Sequence, residues 1–211
     1  MVFNGPEGVK TDQTLAHFGL NLPEADFWVF GYGSLMWNPG FPFRHCVPAR
    51  AFGYHRDFAM RSIRHRGTPK CPGLVLALCP GGSCTGRAFL VARAQGPGAI
   101  SYLLDREMGT YAYRPALIFV HRGAERVRAL TFLPTAQAPQ FVPGLDRETQ
   151  ARAIAAAAGG MGSNQDYLHQ TIREMERLNL PTEKFQALER RVLQLKRFAD
   201  PIDQQNAMGP Y

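Results

Sequence analysis

The sequence predicts an α+β fold, in which a small curved or barrel-like sheet comes first and a helical part completes the chain. Short apolar runs bounded by glycine or proline recur between residues 27 and 133, and such runs are typical of strands. One helical segment interrupts them, and three more follow residue 145. Strands that precede helices, rather than alternate with them, indicate an α+β domain with a mixed sheet.

Six strands are predicted from apolar or alternating runs between turn residues. They span residues 27–31, 47–54, 73–79, 86–92, 115–121 and 126–133. Between the fourth and fifth strands, residues 98–108 are predicted to form a helix that ends at Gly109. Three later helices are predicted at residues 146–158, capped by Asp146, at 163–178, capped by Ser163 or Asn164, and at 183–198.

The length and the composition fit one globular domain. A chain of 211 residues with 45% apolar and 19% charged residues is ordinary for such a domain. We expect residues 1–26 to be an irregular N-terminal arm, residues 27–198 to form a single domain and residues 199–211 to be a tail.

Neither a membrane span nor a secretory signal is predicted. No apolar run reaches the roughly 18 residues that a span needs, and the N-terminus lacks a basic region followed by an apolar stretch. We therefore expect a cytoplasmic protein. Its cysteines show no CxxC spacing, which favours free thiols over disulfides or a zinc site. They are Cys46, Cys71, Cys79 and Cys84.

The chain is basic, with a formal net charge of +7. Seven of its basic residues fall within residues 44–70, where Asp57 is the sole acidic residue. Such a stretch could bind nucleic acid, but it carries no nucleic-acid motif. We favour a solvated face or a surface that attracts a small anionic substrate, and predict no nucleic-acid partner.

Several familiar chemistries lack their motifs. The dinucleotide fingerprint fails because Met36 stands where its third glycine would be. The chain has no phosphate-binding GxxxxGK[ST] loop and no HExxH motif, and its histidines show no ligand spacing. Ser34 lies in GYGSL rather than in the GxSxG of a nucleophile elbow.

The segment from Trp28 to Trp37, WVFGYGSLMW, is the first candidate for a site. It begins as an apolar strand and ends in a turn where two glycines flank Tyr32. Glycine permits a positive φ or a close approach of the backbone to a ligand. The amides of Gly33, Ser34 and Leu35 could then bind a carboxylate as a backbone nest. A tight turn without a ligand explains the pattern equally well.

The second candidate is Glu107, near the end of the predicted helix 98–108 and on the same face as Leu103. The negative end of the helix dipole and partial burial both disfavour an ionised carboxylate. Both would raise the pKa of Glu107 toward the range that suits proton transfer near neutral pH. The alternative is an exposed glutamate paired with Arg106 or another arginine.

Taken together, these motifs resemble those of the ChaC family, the glutathione-specific γ-glutamylcyclotransferases. The resemblance extends from about residue 27 to residue 191. Its matching segments are residues 29–37, 39–41, 53–54, 65–69, 72–73, 86–88, 102–103, 106–107, 162–164 and 166–168. The chain departs from the family's pattern at residues 128–142, where we expect one wall of the site to differ. The N-terminal arm lies outside the resemblance.

The resemblance implies a small mixed barrel of the γ-glutamylcyclotransferase type with helices around it, and a reaction without a cofactor or a metal. The substrate would be glutathione, cleaved to 5-oxoproline and Cys-Gly with Glu107 as general acid and base. The Tyr111 hydroxyl, which matches a tyrosine of the family, would contact substrate. Apart from the resemblance, Arg66 and Arg61 could hold the glycine carboxylate; both could instead be surface charges, which we favour for Arg61. The other residues expected to bind substrate are Phe30, Gly31, Tyr32, Gly33, Ser34 and Leu35.

Two alternatives remain at this point. One is a cyclotransferase for other γ-glutamyl peptides or γ-glutamylamines, and the other is a non-catalytic basic module that associates with RNA. The presence of both GYGSL and the Arg106-Glu107 pair argues against the second. The sequence leaves the oligomeric state open.

Overall fold

The computed structural model describes residues 11–21 and 23–199. They divide into two compact units. The first contains the described residues up to Arg56 together with Ala77–Phe141, and the second contains Asp57–Leu76 together with the described residues from Val142 onward.

Five strands close a barrel in the order β1-β3-β2-β4-β5. Their bounds are β1 Phe27–Gly31, β2 His45–Ser62, β3 Gly73–Val91, β4 Tyr113–Arg122 and β5 Glu125–Pro134. Strand β1 pairs antiparallel with β3 and parallel with β5, so the barrel is mixed, as predicted. Val29 and Phe30 of β1 are fully buried, which places this strand within the core.

Two of the predicted strands are one strand. Residues 73–79 and 86–92 were expected to be separate because Pro80, Gly81 and Gly82 lie between them. Strand β3 instead continues through this stretch, where Gly81 and Gly82 have φ values of 93° and 74°. Glycine adopts such values without steric cost, so the strand bends at an exposed position without ending. Strand β2 is likewise far longer than the predicted residues 47–54.

Helix α2, Gly96–Met108, packs its apolar face into the core of the first unit. Ile100 and Leu103 are almost fully buried against Val29 of β1 and Phe89 of β3. The helix ends at Gly109, as predicted, although Gly109 has ordinary right-handed angles rather than a positive φ.

The predicted irregular arm contains a helix, α1, Thr11–His17. Leu15 of α1 is 1% exposed and belongs to the same core as α2. The expectation of an irregular arm overlooked that Leu15 and Phe18 can cover one side of the core. Residues 1–10 of the arm, and residues 200–211 of the predicted tail, lie outside the described residues.

The second unit holds the three later helices, α3 Arg147–Ala156, α4 Asn164–Arg177 and α5 Glu183–Ala199. Both predicted caps form: Asp146 accepts from the Thr149 amide at 2.8 Å, and Ser163 accepts from the Asp166 amide at 3.0 Å. Sequence reasoning missed two short strands between α3 and α4, β6 Ala158–Gly159 and β7 Gly162–Ser163.

Asn164 joins α4 to β3 within the second unit. Its side-chain oxygen accepts from the Leu74 amide at 2.6 Å, and its side-chain nitrogen donates to the Leu74 carbonyl at 2.7 Å. Asn164 is fully buried, so this one amide satisfies both backbone groups of Leu74 out of contact with water. In the described part of the chain, no helix is long and apolar enough to cross a membrane.

Candidate active site

Strand β1 ends in the turn that the sequence marked as a site, and β5 holds this turn in place. The buried Tyr32 hydroxyl donates to the Phe132 carbonyl at 2.8 Å, and the Thr131 hydroxyl donates to the Phe30 carbonyl at 2.9 Å. Both acceptor and donor on β5 lie in the segment where the sequence departs from the ChaC pattern. That segment therefore supports the turn through its backbone and one hydroxyl.

The turn itself is a single 3₁₀ turn, Ser34–Met36. The Met36 amide donates to the Gly33 carbonyl at 2.8 Å, and the Asn38 amide donates to the Ser34 carbonyl at 2.9 Å. The amides of Ser34 and Leu35 open the turn and have no carbonyl partner within it, as expected for a first turn. They are two of the three donors, with the Gly33 amide, that the sequence proposed for a carboxylate.

The two glycines that flank Tyr32 do not have positive φ values. Gly31 is required for packing instead, because a Cβ on Gly31 would lie 2.8 Å from the Cβ of Leu35. The sequence offered two reasons for glycine here, a positive φ and a close approach of the backbone to a ligand. A close approach does occur at Gly31, but the neighbour is the Leu35 side chain rather than a ligand.

Arg106 connects the turn to helix α2. Its Nη2 donates to the Ser34 hydroxyl at 2.8 Å, and its Nη1 donates to the Asn38 carbonyl at 2.7 Å and to the Tyr102 hydroxyl at 2.9 Å. The Arg106 side chain is only 14% exposed. The planar guanidinium therefore fixes the start and the end of the turn against α2.

Glu107 lies beside this guanidinium, with its Oε1 3.3 Å from Arg106 Nε. Burial raises the pKa of the Glu107 carboxyl, and the positive charge of Arg106 offsets part of that rise. The glutamate is thus paired with Arg106, as one interpretation of the sequence had it, but the pair is mostly buried rather than exposed. The raised pKa of Glu107 agrees with the other interpretation of the sequence, in which partial burial disfavours the ionised carboxylate.

Tyr102 and Gly40 form the far side of this arrangement. A Cβ on Gly40 would lie 2.0 Å from the Tyr102 hydroxyl, and the φ of Gly40 is +73°. Sequence reasoning missed Tyr102 and Arg106 as contributors to the site. Their spacing of four residues on a helix was the available signal, because it places both side chains on one face.

The remaining predicted residues are Tyr111, Arg66 and Arg61. Tyr111 follows α2 in a turn, is 54% exposed and has a φ of 54°. Arg66 belongs to the second unit, where its Nη1 donates to the Ser163 carbonyl at 3.0 Å and its guanidinium lies 5.7 Å from the centre of the Tyr167 ring. Burial lowers the pKa of Arg66. Arg61 is exposed and belongs to the same unit.

A family model described as ChaC-like protein matches residues 27–195. The chain belongs to this ChaC-like family. The match covers every residue that the sequence proposed for the site. Helix α1 and the other residues before Phe27 lie outside the match.

Relatives within the ChaC-like family have assigned activities. The chain is 34% identical over 175 residues to a glutathione-specific gamma-glutamylcyclotransferase of Schizosaccharomyces pombe, and the alignment covers 74% of this chain and 86% of that protein. It is 35% identical over 158 residues to an Escherichia coli K12 protein of the same name, with 74% and 68% covered.

A solved structure shares the ChaC-like fold. The crystal structure of a gamma-glutamyl cyclotransferase specific to glutathione from yeast superposes with a TM-score of 0.74, covering 81% of this chain and 97% of that one. The two chains are 22% identical, so this comparison establishes the barrel and its helices, not the chemistry.

Proposed function

We propose that this chain is a γ-glutamylcyclotransferase that cleaves glutathione to 5-oxoproline and Cys-Gly. The observation that carries the proposal is the Arg106 guanidinium, which contacts both the Ser34 hydroxyl and the Glu107 carboxylate. It brings a turn with available backbone donors and a carboxylate of raised pKa to one place. The names of the two relatives, both glutathione-specific gamma-glutamylcyclotransferases, support the same reaction.

The reaction requires the α-amine of the glutamyl group to attack its own γ-carbonyl carbon. A C–N bond forms to close the five-membered ring, and the amide bond to the cysteinyl nitrogen breaks. In the proposed mechanism Glu107 takes a proton from the attacking amine and then gives it to the leaving nitrogen, so the carboxylate is regenerated. A group that serves as base and then as acid works best with a pKa near the working pH, and burial moves the pKa of Glu107 in that direction.

The turn would hold the glutamyl group in a folded conformation. Amides of Gly33, Ser34 and Leu35 suit its α-carboxylate, and holding amine and carbonyl together can supply a large part of the rate enhancement. The same donors suit the oxyanion that develops on the γ-carbonyl oxygen. Contacts of Phe30, Gly31, Tyr32, Arg66 and Tyr111 with substrate, and a cytoplasmic location, remain predictions.

Comparing Glu107→Gln with Asp105→Asn tests the role of Glu107. Both replace a carboxylate of α2 with its isosteric amide, but Asp105 is exposed on the other side of the helix. We expect Glu107→Gln to lose at least 100-fold in kcat, since it can neither accept nor return the proton, and Asp105→Asn to keep wild-type turnover. Detection of 5-oxoproline and Cys-Gly gives the rate. Retained turnover in Glu107→Gln would exclude Glu107 as the base.

The substrate is tested by comparing glutathione with γ-glutamyl-alanine and γ-glutamyl-lysine under the same conditions. The proposal requires the largest kcat/KM for glutathione. A larger value for either of the other two would instead assign the chain to the broader class of γ-glutamyl peptides or amines.

A further inference from the structure

Arg56 is a buried cation that the proposed chemistry does not use. Its side chain is 8% exposed, although it lies in the arginine-rich stretch that the sequence predicted to be a solvated face or a surface that attracts a small anionic substrate. Its Nε and Nη2 both lie 3.3 Å from Cys84 Sγ, Nη2 donates to the Thr85 carbonyl, and Nη2 lies 3.9 Å from Met36 Sδ. The guanidinium therefore lies inside the first unit, between β2, β3 and the end of the Ser34–Met36 turn.

The charge of Arg56 lacks a counter-charge among residues 11–21 and 23–199, where no acidic side chain forms an ion pair with it. Its neighbours are two sulfur atoms, which are weak acceptors, and one carbonyl. Within the same described part, its buried Nη1 has no hydrogen-bond partner. Burying a charge without a partner costs free energy, and the contacts of Arg56 offset little of that cost.

An anion bound beside the turn would supply the missing partner. The Met36 contact places the guanidinium beside the last residue of the turn, whose Ser34 and Leu35 amides have no carbonyl partner within the turn. In a protein interior, charges a few ångströms apart attract far more strongly than in water, even without touching. The α-carboxylate of a γ-glutamyl compound is an anion of the required kind.

We propose that Arg56 and the turn at residues 33–36 form a binding site for the α-carboxylate of the substrate. This proposal rests on the proposed cyclotransferase function and adds to it a specific cation. Arg56 has the role of a binding residue that attracts the carboxylate and steers the glutamyl group onto the turn; Glu107 remains the group that moves protons.

The alternative is that Arg56 merely braces the barrel through Thr85 and Cys84. The two roles predict opposite effects on stability. If Arg56 only stabilises the barrel, Arg56→Met would lower the melting temperature. An uncompensated buried charge replaced by an apolar side chain of similar length leaves stability unchanged or raises it, and the cost appears in function instead.

The experiment compares Arg56→Met, Arg56→Lys and the control Arg50→Met. Arg50 lies on the same strand β2, is exposed and packs against Phe52 with its guanidinium 5.8 Å from the ring centre, so its variant removes the same charge from the surface. For Arg56→Met we expect KM to rise about tenfold or more, as the loss of one carboxylate interaction implies, with kcat little changed and the melting temperature not lowered. Arg56→Lys keeps the charge and should keep most of the affinity.

Two results would overturn the carboxylate site. One is a KM for Arg56→Met within about twofold of the Arg50→Met value. A twofold change in KM is smaller than the change expected when a carboxylate loses its cation. The other is an equal rise in KM for Arg56→Lys and Arg56→Met, which would show that shape rather than charge matters.

Failure of the proposed function would be visible separately, because the wild-type protein would then turn over no γ-glutamyl peptide. Calorimetric titration with glutarate would in that case test the carboxylate site alone. Binding to wild type that weakens in Arg56→Met but not in Arg50→Met supports the site. Undetectable binding to wild type, or equal binding to wild type and Arg56→Met, overturns it.

Discussion

Arg106 donates a hydrogen bond from Nη2 to the Ser34 hydroxyl at 2.8 Å, across 72 residues of sequence. The same guanidinium lies 3.3 Å from Glu107 through its Nε. One side chain thus sets the distance between the turn and the carboxylate. It also contributes the positive charge that offsets part of the rise in the pKa of Glu107.

Substitutions of Arg106 should separate these two effects. Arg106→Lys keeps the charge but cannot reproduce the planar fork, so we expect kcat to fall about 10- to 100-fold, as a small misplacement of reacting groups does. Arg106→Gln also removes the cation, so the pKa of Glu107 should rise further. The acidic limb of the kcat profile should then move to higher pH in Arg106→Gln and move less in Arg106→Lys.

A pH profile of each variant measures both effects, with the exposed Arg114→Gln as a control for general loss of positive charge. An acidic limb that is unchanged in Arg106→Gln would show that Glu107 does not control it.

The raised pKa of Glu107 predicts a cost to stability. A carboxyl whose folded pKa lies above its unfolded value of about 4.3 binds its proton more tightly when folded. The cost is therefore absent below the unfolded pKa, grows as the pH rises through the folded pKa and is constant above it. Glu107→Gln, which carries no charge, should be more stable than wild type at pH 8 and equal to it near pH 4.

Denaturant unfolding of both proteins across this range checks the prediction, and Asp105→Asn provides the comparison for an exposed carboxyl. A stability difference that grows as the pH falls would contradict it.

Tyr32→Phe removes the hydroxyl that donates to the Phe132 carbonyl. Because the carbonyl would remain buried without this partner, we expect a loss of roughly 1 to 3 kcal/mol in the free energy of unfolding. Turnover should fall as well, since β5 would then hold the turn only through the Thr131 hydroxyl. Tyr54→Phe is the matched control, a half-buried tyrosine of β2. Equal stability of the two variants would show that the hydrogen bond contributes little.

Gly40→Ala should disturb the site through Tyr102. The new Cβ would lie 2.0 Å from the Tyr102 hydroxyl at a φ of +73°, so the tyrosine must move and its bond with Arg106 is lost. We expect a destabilisation of about 1 to 3 kcal/mol from steric crowding and strain and reduced turnover.

The double variant Gly40→Ala, Tyr102→Phe should recover part of that stability, because the closest clashing atom is absent. Gly98→Ala, where nothing lies within 4 Å of the new methyl group, should be neutral or slightly stabilising in α2. No recovery in the double variant would assign the whole effect to the backbone.

Asn164→Ala should destabilise the second unit. It removes two short hydrogen bonds to Leu74 and leaves both backbone groups buried, which costs about 2 to 4 kcal/mol at 1 to 2 kcal/mol each. Asn164→Asp should not rescue the loss, because its second oxygen would face the Leu74 carbonyl. Unfolding curves measure the effect, and the exposed Gln170→Ala on the same helix should change nothing.

The features that were predicted correctly depend on residues that lie close together in the sequence. Strand β1 was predicted with its observed bounds because glycines end an apolar run. Residue type alone predicted the Asp146 cap and narrowed the next cap to Ser163 or Asn164, of which Ser163 forms it. The burial of Glu107 was predicted because Leu103 defines the buried face of its helix, while its role in proton transfer stays a prediction. Each of these inferences depends on a short stretch of neighbouring residues.

The missed features depend on residues far apart in the chain. The bond between Arg106 and Ser34 spans 72 residues, and no local pattern indicates it. Arg56 was expected on a solvated face or on a surface that attracts a small anion because its neighbours in sequence are basic, whereas its burial depends on Cys84 and Thr85 on another strand. The continuity of β3 through Gly81 and Gly82 depends in the same way on the strands beside it.

The position of β1 in the barrel bears on how the protein acquires activity. Its two partners, β3 and β5, both come later in the chain, and the Thr131–Phe30 hydrogen bond joins residues 101 positions apart. Contacts of such long sequence separation slow folding. The apolar β1 therefore lacks its β5 partner, and remains prone to aggregation, until β5 has been synthesised. Because β1 carries the turn, a nascent or truncated chain that ends before Phe132 would lack the formed turn of the proposed site even though it already contains Glu107.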